Sequence, residues 1–399
     1  MHNERKIGDG LYYLGGSDRR IGLFENFYPA PLGMSYNSYL FLDEKTCLLD
    51  TVDKAISHGF FENLEHALNG RPLDYLVVHH MEPDHAAEIG ELLLRHPETT
   101  IVLSAMAKKM LLNFYPGLQA NTILAKEGDE LKLGEHTLRF LMAPMVHWPE
   151  VMFSFEESTK TLFSADAFGC FGALSGNLYD PEHRTFPKEE YRRYYCNIVG
   201  KYGPQVLAAL KKVAPLGVKL ICPLHGPLHQ EDIPELLEEY TAWASYTPED
   251  KDGVMIVYGS IYGDTENAAE ILAADLADRG VKNLTLYDVS RVHVSTLVSE
   301  AFRVKTIVLM SASYNMGVYI KMEDFLHDLA AHKLANRTFA IVENGSWAPS
   351  AKNAMKSILE GLPNSTYLEP TLTITSALKE SDLPVLEQIA DAVASSVKD

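Results

Sequence analysis

Cysteine is scarce in this chain, and the few present are badly placed for the usual cysteine chemistries. Cys47, Cys170, Cys196 and Cys222 are scattered and form no C-x-x-C pair. That argues against a disulfide framework, a zinc ribbon and a rubredoxin-type iron site. Positive charge is also short: 35 Lys and Arg against 54 Asp and Glu leave a formal net charge of −19. So acidic a chain has no general attraction for nucleic acid or for an anionic membrane surface. Long apolar runs are missing as well. The polar start Met1-His2-Asn3-Glu4-Arg5-Lys6 leads into no secretory signal, and no stretch reaches membrane-spanning length. A reducing, cytoplasmic location is the expectation. There is no internal repeat and no low-complexity tract.

What is present is the composition of an ordinary globular protein, 46% hydrophobic and 22% charged over 399 residues, enough for two or three domains. Residues 8–53 alternate apolar and polar positions between Gly and Pro, which predicts short antiparallel strands, including a hairpin around Asp43-Glu44-Lys45. A helix is predicted over 60–68, ended by Asn69-Gly70, and another from about Ala86. Strands are expected at 76–78, 100–104, 137–142, 151–155, 161–164 and 219–222, and a helix at 235–243. The texture changes at the charged, apolar-free segment 247–253, which divides the chain into domains 1–249 and 250–399. Beyond it, strands predicted at 254–258, 284–289, 304–310, 338–342 and 372–375 alternate with helices at 267–279, 323–331, 351–359 and 383–397. This βα rhythm predicts an α/β fold with a doubly wound parallel sheet.

Within the first domain, the apolar run Leu76-Val77-Val78 ends in His79-His80-Met81-Glu82-Pro83-Asp84-His85. Such a knot of imidazoles and carboxylates is costly to bury unless an ion binds it. Three further strand ends offer a ligand-type side chain: His147 after Ala143-Pro144, Asp166 after Ser164-Ala165, and His225 after Cys222-Pro223-Leu224. Taken singly, these three read as ordinary polar residues. The dense run from His80 to His85 is what points to metal. His79 has the opposite strand parity to His80 and should face away from the cluster. The other histidines, among them His58, His66, His96, His183, His229 and His332, read as surface or structural residues. The set is rich in carboxylate and lacks thiolate, which suits iron or manganese better than zinc. Glu82, Asp84 and Asp166 offset three of the four positive charges on two divalent ions, and Asp166, with two oxygens, is the natural bridge.

The second domain opens with Tyr258-Gly259-Ser260-Ile261-Tyr262-Gly263-Asp264-Thr265-Glu266 between a strand and a helix. Hydroxyls at Ser260 and Thr265, a tight turn at Gly263 and the free N–H groups of a helix start make a phosphate cradle. It has neither G-x-G-x-x-G nor the lysine of an ATP-binding loop.

These motifs together resemble the flavodiiron proteins, also called A-type flavoproteins. The pattern His80-x-Glu82-x-Asp84-His85, then His147, Asp166 and His225, is similar to that family's ligand set. The segments 31–40, His147-Trp148-Pro149 and Tyr194-Tyr195-Cys196-Asn197 are similar too. The resemblance covers essentially the whole chain, in the same domain order. It implies a metallo-β-lactamase-like αββα sandwich followed by a flavodoxin-like domain. Zinc hydrolases of the former fold carry His where Glu82 stands, so Glu82 is the diagnostic residue.

By the resemblance, one iron takes His80, Glu82 and His147, and the other takes Asp84 and His225, with Asp166 bridging. His85 either ligates or stands aside. Tyr195 is the implied proton or hydrogen-bond donor near the site. FMN is implied at three loops: Ser260, Ile261, Tyr262, Gly263, Asp264 and Thr265; Ser313, Tyr314, Asn315 and Gly317; and Asn344, Gly345, Ser346 and Trp347. Asp264 stands where many flavodoxins have an uncharged residue, and would repel a phosphate unless it points outward. The implied activity is reduction of dioxygen to water, of nitric oxide to nitrous oxide, or of both. The implied assembly is a head-to-tail homodimer, or a dimer of such dimers. No rubredoxin or flavin-reductase segment follows, so a separate donor such as rubredoxin or a reduced deazaflavin is expected. The alternative is a zinc hydrolase with a flavodoxin-like appendage, acting on a thioester or phosphodiester.

Overall fold

The computed structural model describes residues 1–397. The chain divides into two compact units, Met1–Thr241 and Ala242–Asp399. No helix among the described residues is long and apolar enough to cross a membrane.

The first unit holds two main sheets. The larger runs in the order Arg5–Lys6, Leu11–Tyr13, Tyr39–Leu42, Thr46–Leu49, Tyr75–Val78, Thr100–Ser104, Asn121–Ala125. Its predicted hairpin pairs Tyr39 with Leu49. From Thr46–Leu49 onward the strands are parallel, and Leu76, Val77 and Val78 are buried, as expected for strands covered on both faces. The helix Ser57–Leu68 buries Phe60, Phe61, Leu64 and Leu68 and stops at Asn69 in the left-handed region (φ 47), a C-terminal cap favoured by Asn and Gly.

The second sheet runs Glu130–Lys132, Thr137–Met142, Met152–Glu156, Thr161–Phe163, Leu220–Cys222. Phe163 joins the two sheets, with its ring 5.3 Å from Tyr39, 5.7 Å from Phe41 and 6.4 Å from His79. The Tyr39 hydroxyl donates across the same interface to the Pro223 carbonyl at 2.6 Å. This is the α/β, metallo-β-lactamase-like architecture expected from the resemblance.

In the second unit the parallel strands lie in the order Leu284–Asp288, Asp250–Gly259, Val304–Tyr314, Thr338–Asn344. The last of these also pairs with two short pieces, Thr366–Tyr367 and Leu372–Ile374. In sequence order this is 2-1-3-4-5, the flavodoxin-like arrangement, with its switch point between the first and third strands. Buried Ala268, Ala269, Leu272 and Leu276 of the helix Asp264–Asp278 pack with Leu386, Ile389, Ala390 and Val393 of Leu383–Ser396 against one face.

Several elements escaped the sequence. The helix Ala105–Phe114 buries only Ala107 and Leu111, too narrow a stripe to stand out, and depends on Ser104 accepting the Ala107 N–H at 3.1 Å. Val294–Arg303 contains β-branched residues at 294, 296 and 298 that read like a strand, yet it is helical, with Leu297, Val298, Ala301 and Phe302 buried. The helices Lys188–Tyr194 and Gly203–Val213 and the strand Asn121–Ala125 were also unforeseen. The charged segment expected to be loop contributes Asp250 to a strand: it pairs with Val304, with a register shift before Val254, and its carboxylate meets Arg303 at 3.1 Å.

Because Phe163 fills the space between two sheets that cannot both collapse, Phe163→Ala should cost about 3–5 kcal/mol. Urea denaturation of the wild type and variant, followed by near-UV circular dichroism, checks this; a change within error would contradict the packing account.

Candidate functional site

The ligand-type residues sit in loops at strand ends of the first unit, His147 between the antiparallel strands Thr137–Met142 and Met152–Glu156. His80, Glu82, Asp84 and His85 follow Tyr75–Val78, and the short helix Pro83–Ala86 turns Asp84 and His85 inward. Asp166 follows Thr161–Phe163 and His225 follows Leu220–Cys222, two strands that pair in parallel so that their loops leave together. Ala165 (φ 48) and Met145 (φ 66), one and two residues before Asp166 and His147, adopt left-handed backbone. Each such residue costs roughly 1–2 kcal/mol, and strain of this kind gathers at functional sites.

The side chains converge as two groups that share Asp166. In the first, Nε2 of His147 is 3.1 Å from Glu82 Oε2 and 3.0 Å from Asp166 Oδ2. Nε2 of His80 is 3.2 Å from Glu82 Oε2 and 3.3 Å from Asp166 Oδ2. In the second, Nε2 of His85 and of His225 are 3.0 Å apart and lie 3.3 and 3.1 Å from Asp84 Oδ2. Asp166 Oδ1 faces this group, 3.1 Å from His85 and 3.7 Å from His225. The two groups, His80, Glu82, His147, Asp166 and Asp84, His85, His225, each gather ligand atoms closely enough for one ion. His85, which the sequence left open, points inward with the second group. All seven predicted metal residues therefore meet in one place.

The outer partners fix which atoms face inward, and sequence reasoning missed them. His225 Nδ1 donates to the Ser35 carbonyl at 2.7 Å, which leaves its Nε2 lone pair directed at the cluster. His80 Nδ1 is 2.7 Å from Glu150 Oε1, which also accepts the Met81 N–H at 2.9 Å. A carboxylate or carbonyl behind each imidazole is the usual support for a metal ligand. Glu150 had no periodic signal; it is one acid in a loop, three residues past His147. His79 turns the other way, as its parity predicts, to Asp50 (2.5 Å) and Ser154 (2.8 Å). A cavity of about 470 Å³ opens beside Glu82 and Asp84, lined also by Ile21, Leu23, Phe24, Glu25 and Tyr36.

Of the paired tyrosines, Tyr195 packs edge-on against Tyr240, with ring centroids 4.9 Å apart and planes at 75°. It is Tyr194 whose ring lies 5.7 Å from that of His225. Its hydroxyl is buried and has no hydrogen-bond partner among the described residues. Burial, then the Asp166 and Asp84 carboxylates, hold this phenol well above its usual range, so it keeps its proton. Successive helical residues differ in direction by roughly 100°, which is why sequence adjacency could not separate the two.

In the second unit, Gly259, Tyr314 and Asn344 end or closely follow adjacent parallel strands, in register at Gly259↔Ser311 and Ala312↔Asn344. The three predicted loops therefore leave one edge of the sheet. The helix Asp264–Asp278 starts after Gly263 (φ 101) with no side-chain cap, so its first-turn N–H groups are available to an anion. The Gly263 N–H donates to Ser260 Oγ at 3.0 Å. Thr265 is buried and Asp264 exposed. Tyr314-Asn315-Met316-Gly317 forms a two-residue hairpin with φ 48 and 62 at its centre. Two predicted contacts are already committed to the fold: Ser313 Oγ accepts the Ser350 N–H at 2.9 Å, and Asn344 Nδ2 donates to the Ser376 carbonyl at 2.8 Å. Trp347 is 83% and Tyr262 93% exposed.

Burial drives the His147 imidazole toward neutrality, but the Asp166 and Glu82 carboxylates outweigh it and lift its pKa to about 9. Glu82 is held down at about 2, burial being overcome by His147 and His80. In metal-free protein the His147 contribution to stability is complete below the ordinary imidazole value of about 6.5 and is lost as pH rises through about 9. The Glu82 contribution is lost only as pH falls through about 2. Chelator-treated protein should thus melt at progressively lower temperature as pH rises from about 6.5 to about 9. Metal-loaded protein, whose ligand nitrogens carry no proton, should change much less. Parallel thermal melts test this, and a flat profile for the stripped protein would contradict it.

Comparison with known proteins agrees with this architecture. Residues 34–226 match the family described as ODP family beta lactamase. A protein of Methanocaldococcus jannaschii is 30% identical over 378 residues, 95% of each chain. The rubredoxin-oxygen oxidoreductase of Megalodesulfovibrio gigas is 28% identical over 98% of each chain. The solved rubredoxin oxygen:oxidoreductase from Desulfovibrio gigas superposes with a TM-score of 0.94 over 99% of both chains at 26% identity. The Giardia intestinalis flavodiiron protein gives 0.92 at 22%, over 99% of this chain and 96% of the other. With relatives aligned end to end and this two-unit fold, the chain belongs to the flavodiiron protein family.

Proposed function

We propose that this protein is a flavodiiron oxidoreductase that reduces dioxygen to water, nitric oxide to nitrous oxide, or both, at a non-haem diiron centre fed through FMN. The observation that carries the reading is Asp166, whose two oxygens face two separate groups of imidazoles and carboxylates. The donor set fits two irons: it is carboxylate-rich and thiolate-free, and both Asp84 oxygens and Asp166 Oδ1 are buried with no hydrogen bond among the described residues. His80, Glu82 and His147 would hold one iron, Asp84, His85 and His225 the other, and Asp166 both. The second-unit loops fit FMN, with an uncapped helix start for the phosphate and exposed Trp347 and Tyr262 for the ring. Two irons and one reduced flavin supply the four electrons that convert dioxygen to two waters, or the two that convert a pair of nitric oxide molecules to nitrous oxide and water.

The protein's own residues do the rest. Ile21, Leu23 and Phe24 make the cavity wall beside Glu82 and Asp84 partly apolar, which suits an uncharged diatomic gas. Glu150 and the Ser35 carbonyl keep His80 and His225 aimed. The proton-donor role inferred for Tyr195 falls instead to Tyr194, which holds a buried O–H beside His225 with no acceptor of its own among the described residues.

The relatives' names support the chemistry. One is a rubredoxin-oxygen oxidoreductase, one a nitric oxide reductase from Moorella thermoacetica (26% identical over 98% of each chain), and one an anaerobic nitric oxide reductase flavorubredoxin from Aeromonas hydrophila. They do not favour the zinc-hydrolase alternative. Rubredoxin or a reduced deazaflavin is the proposed donor. A head-to-tail homodimer, setting the flavin of one chain against the metal centre of its partner, is the proposed working unit; the indole of Trp347, left in solvent in a single chain, supports it. A cytoplasmic location fits four cysteines that are all buried and form no C-x-x-C pair.

Anaerobically purified protein should contain about two irons and one FMN per chain and, once chemically reduced, consume one or both gases. Zinc without flavin, or no turnover of either gas, would overturn the reading. Glu82→His should shift the metal content toward zinc and abolish gas reduction, read by metal analysis beside electrode traces. Tyr194→Phe should lower kcat by about 10²-fold, the low end for a positioned acid, with metal content unchanged. If Tyr195→Phe has the larger effect, the assignment to Tyr194 fails.

A further inference from the structure

The outer face of the helix Ser57–Leu68 carries a row of histidine and carboxylate that the metal centre does not use. His58, Glu62 and His66 are four residues apart and so lie along one side of the helix. The N-terminal segment runs against that side and brings a second histidine and a second carboxylate. Nδ1 of His2 is 2.9 Å from Glu4 Oε2, and Nδ1 of His66 is 2.6 Å from Glu4 Oε1. The two imidazoles stack, with centroids 3.3 Å apart and planes within 9°. One ligand atom from each of His2, Glu4 and His66 can be grouped tightly enough for a single ion.

We propose that His2, Glu4 and His66 form a surface site for a divalent transition-metal ion of the zinc type, sharing no residue with the buried centre. Two neutral imidazoles and one carboxylate are standard zinc donors, and such a trio leaves a fourth tetrahedral position for water. The site is open for entry: the side chains of His2 and His66 are 41% and 52% exposed, while Glu4, between them, is 12% exposed. The ion takes the place of the two N–H protons that otherwise bind the rings to Glu4. Rings this close cannot comfortably carry a proton charge each, whereas one shared cation between their nitrogens satisfies both. Glu62 and Glu65 line the open groove beside His2 and add negative potential that favours a cation. Carboxylate and imidazole without thiolate favour zinc over softer copper(I).

The test is calorimetric titration of untagged, iron-loaded protein with zinc sulfate at neutral pH, comparing the native chain with His2→Ala, His66→Ala and Glu4→Gln. His327→Ala, at another exposed histidine, is the control. The native protein and the control should bind one zinc per chain beyond the metals already present. Each of the three variants should weaken that binding by at least the roughly 10- to 100-fold that loss of a mere outer-shell partner causes. Unchanged iron and flavin content shows that the variants have folded. Native protein that binds no additional zinc, or His2→Ala and His66→Ala proteins that bind it as the native chain does, would overturn the proposal.

Discussion

Asp166 is a carboxylate with almost no contact with water, and its two oxygens are committed to different sets of imidazoles. A buried charge survives only if opposite charge or a bound ion pairs with it. Here the pairing comes from His80 and His147 on one oxygen and His85 and His225 on the other. Those four histidines leave three strand ends, one in the larger sheet (His80 and His85) and two in the smaller (His147 and His225), so the sheets must be stacked before the carboxylate is satisfied. Burial would raise the Asp166 pKa, but the surrounding imidazoles, His85 and His80 foremost, hold it well below the ordinary range. Two positive centres at this position are what the arrangement favours, and two metal ions supply them better than protons do.

Behind that cluster lies a frame of polar groups that never touch it. Asp50, His79 and Ser154 line up at 2.5 and 2.8 Å in the order of a hydrolytic triad. All three are buried to within 1%, so no substrate can reach the serine hydroxyl. The row acts as a strut: Asp50 follows a strand of the larger sheet, His79 follows the next, and Ser154 belongs to the smaller sheet. Fully satisfied polar networks of this sort rigidify a core and fix a single register. Glu150 and the Ser35 carbonyl play the corresponding part for His80 and His225, so ligand direction is set from behind rather than by the ligands themselves.

The second unit follows the opposite logic. Its core is continuous and apolar, but the loops at the ends of its central strands leave large aromatics in solvent and a helix start uncapped. Neither feature stabilises an isolated chain. Both are what a ligand with a phosphate at one end and a flat ring at the other requires. Asp264, placed in the middle of the phosphate loop by sequence, is exposed, which answers the objection that it would repel the phosphate. Ser313 and Asn344 show the reverse: polar residues in the right loops whose side chains the fold has already used.

The sequence by itself pointed to a change of texture near residue 250, the βα rhythm beyond it and the candidate ligand run from His80 to His85; His147, Asp166 and His225 joined that run only through the family resemblance. Texture, rhythm and run are written locally, as apolar period, as turn residues, and as a dense run of ligand types between His80 and His85. It also determined that His79 turns away from His80, because strand parity is a local property. Only the tertiary structure decided that His85 faces inward with Asp84 and His225, since His225 arrives from a distant strand. Only it separated Tyr194 from Tyr195, adjacent residues of the same type that a helix sends in different directions. Glu150, Ser35 and the surface group of His2, Glu4 and His66 were likewise illegible. Each is an unremarkable polar residue in its own stretch, and acquires its meaning from a partner that lies far along the chain and is brought near by folding.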